Sequence, residues 1–130
     1  SEYQATQNYI EDLFKKENII FQKTYYCPYH TQATVPQYKQ DSPYRKPNPG
    51  MLLDAISEFN IDPAQSFMIG DKLSDVQAGQ NANMKGILLK TGYGEKESQS
   101  LPDNVTPDYI APTLLDAVTN YILTSKLSTK

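Results

Sequence analysis

Apolar positions along the chain change period several times, and each change marks an element. Tyr9, Ile10, Leu13 and Phe14 recur at three- and four-residue steps, which predicts an amphipathic helix over residues 3–17. Ile19 to Tyr26 mixes β-branched and aromatic residues and predicts a strand. Residues 28–47 carry Pro28, Pro36, Pro43 and Pro47 and predict a long loop, a length usually tied to function or disorder. Asn48-Pro49 offers an N-cap and an N1 proline for a helix whose apolar stripe is Leu52, Ala55, Ile56 and Phe59. Asp62-Pro63 predicts a turn, and Ser66 to Ile69 a short buried strand ending at Gly70. Ser74 or Asp75 would cap a helix over about 75–83, where Ala78, Gly79 and Ala82 predict close packing on a sheet. Gly86 to Lys90 reads as another strand, followed by the turn Thr91-Gly92-Tyr93-Gly94, a polar loop over 95–107 and a short strand at Tyr109-Ile110. Leu114, Leu115, Val118 and Ile122 mark a last helix, and the polar tail from Thr124 is expected to fray.

Strands that alternate with helices and have nearly continuous apolar runs imply an α/β protein with a largely parallel sheet covered on both faces. Ligands of such sheets bind at the carboxyl ends of the strands.

Composition narrows this picture. The chain has 130 residues, one domain's worth, with 38% hydrophobic residues and a mean hydropathy of −0.59, as expected of a soluble protein with a modest core. No run approaches the ~18 apolar residues of a membrane span, and no charged-then-apolar leader is present. A net charge of −3 argues against non-specific binding to nucleic acid. The single cysteine, Cys27, cannot form an internal disulfide, in keeping with a reducing cytosol. There is no internal repeat and no low-complexity tract.

Two places hold candidate chemistry. Asp71 follows Gly70 at a strand end, and Asp75 lies four residues on, in the first turn of the next helix. Two carboxylates there could take Mg²⁺, a hard cation that prefers carboxylate oxygens and water. A Gly-Asp turn followed by a capping Asp would give the same residues. Lys46 lies just before a helix N-terminus, where an ammonium and free backbone N–H groups suit a phosphate. Arg45 could add a bidentate grip on a second group. A solvated cationic pair in a loop is the plainer alternative. Taken together, cations for an anion and carboxylates for a metal are the parts of a phosphoryl-transfer site.

Cys27 and His30 form C-x-x-H, but a structural zinc needs four N/S ligands and these are the chain's only cysteine and histidine. No third residue is evident to orient a Cys-His nucleophile, so a structural role is expected. P-loop, nucleophile-elbow and dinucleotide-binding motifs are absent.

The runs YYCPYH, RKPNPGMLLDAISEFNID and SFMIGDKLSDVQAGQNANMKGILLKTGYG resemble one group of phosphatases in the haloacid dehalogenase superfamily. It comprises the D-glycero-D-manno-heptose 1,7-bisphosphate phosphatases and the related histidinol-phosphate phosphatases. The resemblance runs from about Tyr3 to Ile122, and the paired RKPxPGM and GDKxxD motifs are specific to the group. It implies an α/β, Rossmann-like three-layer haloacid-dehalogenase fold with a mostly parallel sheet. It further implies that Lys46 binds the phosphate and Arg45 the sugar-phosphate substrate. Asp71 would ligate Mg²⁺, Lys72 would lie at the active site with Lys46, and Asp75 would be a weaker metal residue that mainly supports the loop.

This sequence departs from the group twice. Its zinc loop is degenerate: Cys27 matches the first ligand, but Tyr29 replaces the histidine, His30 falls one place late, and Ser42 and Tyr44 replace the later cysteines. Zinc is therefore not expected. The chain also contains no D-x-D, whereas the superfamily's nucleophile and general acid/base lie in D-x-D-G-T on the first strand. The resemblance thus describes residues 1–123 as the carboxyl-terminal part of one phosphatase domain lacking its amino-terminal strands, with 28–47 as the degenerate loop and 124–130 as a polar tail. The expectation is a cytoplasmic Mg²⁺-dependent phosphatase of lipopolysaccharide-precursor synthesis, acting on a small sugar phosphate without nucleic-acid or membrane partners. The complete protein would be a monomer. This chain alone would be inactive and, with open sheet edges, prone to self-associate. Histidinol-phosphate hydrolysis and a catalytically inactive binding module are the alternatives.

Overall fold

Residues 2–27, 36–38 and 41–128 are described in the computed structural model. Its centre is a parallel three-stranded sheet in the order β1-β2-β3. The strands are β1 (Phe67–Gly70), β2 (Lys85–Leu89) and β3 (Tyr109–Ala111). Phe67 pairs with Lys85 and Gly70 with Leu88, while Ile87 pairs with Tyr109 and Leu89 with Ala111. β2 is central, and its continuous apolar run is explained by burial on both sides. Leu88 packs with Leu73, Val76 and Val105 on one face, and Ile87 with Ala111 and Ala117 on the other.

The first face is covered by α3 (Leu73–Asn81). The small-residue stripe does there what its composition predicts: a Cβ placed on Gly79 would overlap the Cβ of Met68 on β1. The helix begins two residues earlier than the capping pattern suggested, because Asp75 sits inside its first turn and accepts the Lys72 N–H at 3.2 Å. It ends at Asn81, and Asn83 follows in the left-handed region at φ 64°. The second face is covered by α5 (Leu114–Ala117), a π-helical turn (Val118–Ile122) and α6 (Leu123–Ser128), where Tyr121 stacks on Tyr109 at 4.8 Å. Helix, sheet and helix give the three layers expected. Thr124 lies within helix rather than in a frayed tail, and Leu114 and Leu115 are exposed, so Ala117 anchors this helix instead. A short helix, α4 (Gly94–Ser98), occupies part of the predicted loop after β2.

The amino-terminal third departs most from expectation. Helix α1 (Glu2–Lys16) forms, but none of its residues is buried and Tyr9 is 64% exposed. Residues 19–26 form no strand. Their backbone joins no ladder, Ile20 is 80% exposed, and the segment instead lies against α1. Phe21 meets Phe14 at 5.0 Å, Tyr26 stacks on Tyr3 at 4.1 Å, and Gln7 donates to Thr24 at 3.1 Å. Helix α2 (Gly50–Phe59) has the predicted stripe, half-buried. Among the described residues, the outer edge of β1 carries no paired strand, and no helix is long and apolar enough to cross a membrane.

Candidate active site

Each predicted functional residue lies in one of three segments meeting near the carboxyl ends of β1 and β2. The first is the loop 41–50. Its conformation is set by backbone capture: the Ser42 carbonyl accepts from Arg45 N–H at 3.1 Å and from Asn48 Nδ2 at 2.8 Å. The Ser42 hydroxyl accepts from Tyr44 N–H at 3.1 Å, and Gly50 N–H donates to the Pro43 carbonyl at 2.8 Å. Asn48 is thus no N-cap. Its amide is used across the loop, and α2 starts after Pro49 with no side-chain cap. Ser42 is 6% exposed, so the position matching a lost zinc-loop cysteine is now a buried hydrogen-bonding hub. Tyr29 and His30 lie outside the described residues.

The loop presents Arg45 and Lys46, both half-buried, with a cis Lys46–Pro47 peptide. Lys46 Nζ donates to Asp75 Oδ1. The Asp75 side chain is 7% exposed and the Lys46 side chain 33%, so a nearly buried carboxylate is neutralised by an ammonium that still reaches solvent. An ammonium has three donors, and Asp75 takes one of them.

The second segment runs from the end of β1 into α3. Asp75 holds it together, with Oδ1 on Lys46 and Oδ2 accepting the Lys72 N–H at 3.2 Å. Gly70 is required by this arrangement, because a Cβ there would overlap the Asp75 carboxyl group. The next amide, Leu73 N–H, donates to Glu97 Oε1 on α4 at 3.3 Å. Two carboxylates thereby satisfy amides that an α-helix leaves open at its N-terminus.

The third segment is the turn after β2. Tyr93 N–H donates to Asp71 Oδ2 at 3.1 Å, and the Lys72 ammonium stands 4.7 Å from the centre of the Tyr93 ring. Gly92, at φ +56°, lies so close to Asp71 that a Cβ would overlap Oδ2. Close approach and left-handed backbone both demand glycine at that position.

Asp71 and Asp75 are therefore not a matched pair. Asp75 is bound to Lys46 and to the Lys72 amide. Asp71 has Oδ2 on a backbone N–H, and Oδ1 has no protein partner among the described residues. A half-buried carboxylate with one open oxygen is a hard donor that fits Mg²⁺, which is commonly held by one or two carboxylates and keeps several waters. The described residues contain no cluster of three or more His, Cys, Asp or Glu side chains, so among them Asp71 stands as a single candidate ligand. Sequence reasoning missed Tyr93, Glu97 and Ser42. T-G-Y-G signalled a turn, but nothing local to Glu97 signals a helix start 24 residues away.

Residues 43–117 match the model of the HAD-hydrolase-like family. The chain is 40% identical over 121 residues to the D-glycero-D-manno-heptose-1,7-bisphosphate 7-phosphatase of Chlorobaculum tepidum, covering 89% of this chain and 60% of the relative. It is 56% identical over 88 residues to the D-glycero-beta-D-manno-heptose-1,7-bisphosphate 7-phosphatase of Pasteurella multocida, covering 67% of this chain and 47% of the relative. The chain thus spans roughly half the length of the curated relatives it matches. Among solved structures, the D,D-heptose 1.7-bisphosphate phosphatase from B. bronchiseptica, complexed with magnesium and phosphate, superposes with a TM-score of 0.75 at 23% identity. That match covers 95% of this chain and 64% of the other, and it speaks for the fold.

Proposed function

The chain belongs to the HAD-hydrolase-like family, and from that premise we propose that the protein carrying it is a Mg²⁺-dependent phosphomonoester hydrolase. Its substrate would be a sugar phosphate, with D-glycero-D-manno-heptose 1,7-bisphosphate the first to test. The observation that carries this reading is the placement of Lys46. Its ammonium is fixed by Asp75 beside the strand end that bears Asp71, with donors left over for a phosphate. The names of the curated relatives support the choice of substrate.

Each side chain then has a role in the transfer. Lys46 donates to the phosphoryl oxygens and offsets charge that builds up on them. Arg45, the preceding residue on the same loop, holds the remainder of the sugar phosphate. Asp71 would hold Mg²⁺, which when bound supplies charge neutralisation at the phosphoryl group. Lys72, exposed and next to Asp71 in the chain, would meet the same phosphate. Asp75 is a positioning residue, since both its oxygens serve Lys46 and the Lys72 amide. The covalent step needs an attacking carboxylate, and no D-x-D occurs in these 130 residues. These residues by themselves are proposed to bind phosphate without turning over an ester.

The test is phosphate release by the gene product that contains this sequence. Heptose 1,7-bisphosphate and histidinol phosphate are offered separately, with Mg²⁺ and with chelator. The expected result is Mg²⁺-dependent release, faster with the heptose and lost in Lys46→Met. Preference for histidinol phosphate would move the reading to the related hydrolase. No release from either substrate, with retained phosphate binding, would favour a binding module.

A further inference from the structure

We propose that Tyr93 is a positioning residue that presents Asp71 and Lys72 together to an incoming phosphate ester. The proposal rests on the phosphatase reading above. Asp71 and Lys72 are neighbours in the chain, and Lys72 is extended at φ −125°, ψ 148°. Adjacent side chains in extended backbone leave on opposite sides. Something outside the segment must therefore fix the carboxylate and the ammonium relative to each other. Tyr93 contacts both: its N–H donates to Asp71 Oδ2 at 3.1 Å, and its ring lies 4.7 Å below the Lys72 ammonium.

The two contacts separate cleanly. The N–H belongs to the backbone and survives any side-chain change except to proline. The ring acts only on Lys72. Lys72 is exposed, and no hydrogen bond or ion pair holds its ammonium among the described residues. A free lysine spreads over many rotamers. The ring face attracts the cation by its quadrupole and narrows that spread. The ring is itself 62% exposed and stands clear of the core, so replacing it leaves the packing intact. Lys72 meets the phosphate in the bound ester and throughout the transfer, so the ring's effect should fall on KM and leave kcat nearly unchanged.

The test is a double-mutant cycle on Tyr93→Leu and Lys72→Met. Made in the gene product that contains this sequence, it is read by calorimetric binding of inorganic phosphate and by KM for heptose 1,7-bisphosphate, with Tyr93→Phe as the conservative control. Tyr93→Leu should weaken phosphate about two- to fivefold, the scale of an exposed cation–π contact. Tyr93→Phe should stay within twofold of the parent, and Tyr93→Leu should have no further effect once Lys72 is Met. The Lys72 ε-methylene proton resonances should lie upfield in the parent and in Tyr93→Phe, and move downfield in Tyr93→Leu. Equal loss from Tyr93→Leu in both backgrounds, or no ring-current shift, overturns the proposal. If the cycle holds for inorganic phosphate but the ester is not hydrolysed, the phosphatase reading fails and the positioning role stands.

Discussion

Lys46 and Asp75 are 29 residues apart, and Lys46 Nζ donates to Asp75 Oδ1 at the edge of the buried core. The carboxylate is the more deeply buried partner, at 7% exposure against 33%. Losing one partner of a buried pair is costly because the other charge stays behind. Lys46→Met should lower stability by about 2–3 kcal/mol, below the usual range for fully buried pairs because Lys46 reaches solvent. Lys46→Met with Asp75→Asn should cost less than the sum of the single changes. Urea melts of the four proteins measure this, and strict additivity would show that the pair is not formed in solution.

Gly70 is a steric requirement for that pair. A Cβ there overlaps the Asp75 carboxyl group. Gly70→Ala should destabilise by about 1–3 kcal/mol, as overpacking does. It should also weaken inorganic phosphate, since displacing Asp75 releases Lys46. Unchanged phosphate affinity in a folded Gly70→Ala protein would separate Lys46 from the anion.

Gly92 makes the corresponding demand for Asp71. Gly92→Ala combines a left-handed backbone, about 1–2 kcal/mol for an L-residue, with overlap on Oδ2. Gly92→Asn tolerates the backbone but keeps the overlap. In the gene product that contains this sequence, both should raise the Mg²⁺ concentration needed for half-maximal activity of the proposed phosphatase, and only Gly92→Ala should carry the full loss in melting temperature. Asp71→Asn should remove Mg²⁺-dependent turnover by at least ~10²-fold, with little change in melting.

The chain has ten tyrosines, and three of them should titrate late. A hydrogen bond to Glu58 pushes Tyr25 up to about 12, and bonds to Asp54 and Asp116 push Tyr44 and Tyr109 up. Glu58 is held below its ordinary value, first by the Lys23 hydrogen bond and then by that from Tyr25. A depressed carboxylate stabilises the fold above its unfolded value of about 4.3, and the gain is lost as pH falls through the folded value. A raised phenol stabilises below its unfolded value of about 10, and that gain is lost as pH rises through about 12. Glu58→Ala should return one tyrosine to the main alkaline transition of tyrosinate absorbance. It should also narrow the stability difference between neutral and acid pH. An unchanged alkaline titration would rule the Tyr25–Glu58 bond out.

The unit from β1 to β2 was legible in the sequence because both faces of β2 are buried, so Ile87 and Leu88 had to be apolar, and Met68 and Ile69 on β1 are half-buried beside them. The periodicity of α1 was equally clear, but it reports a face and not its cover: Tyr9 and Leu13 stay exposed. At 19–26, β propensity met no neighbouring strand, and aromatic contacts with α1 took its place. Lys46 and Asp71 stood out by charge next to breakers, and Asp75 by its place in the first turn of the following helix. Tyr93 did not, because its bond to Asp71 is made by a backbone amide that any residue but proline would supply. Asn48 misled because its capping preference lost to the Ser42 carbonyl.

The site is built from parts with unequal resistance to opening. Asp71, Lys72 and Asp75 belong to a contiguous strand–helix–strand unit, whose amides should be the slowest to exchange with solvent. Lys46 is fastened to that unit by its ion pair with Asp75, and the loop takes one more bond from it, Asn81 Nδ2 donating to the Pro47 carbonyl at 3.1 Å. The loop can therefore lift and reseat as a body while the sheet stays folded. On the proposed reading, phosphate arrival and departure follow the lifetimes of those two contacts, and a bound anion should slow exchange in 41–50 long before it changes exchange in β2.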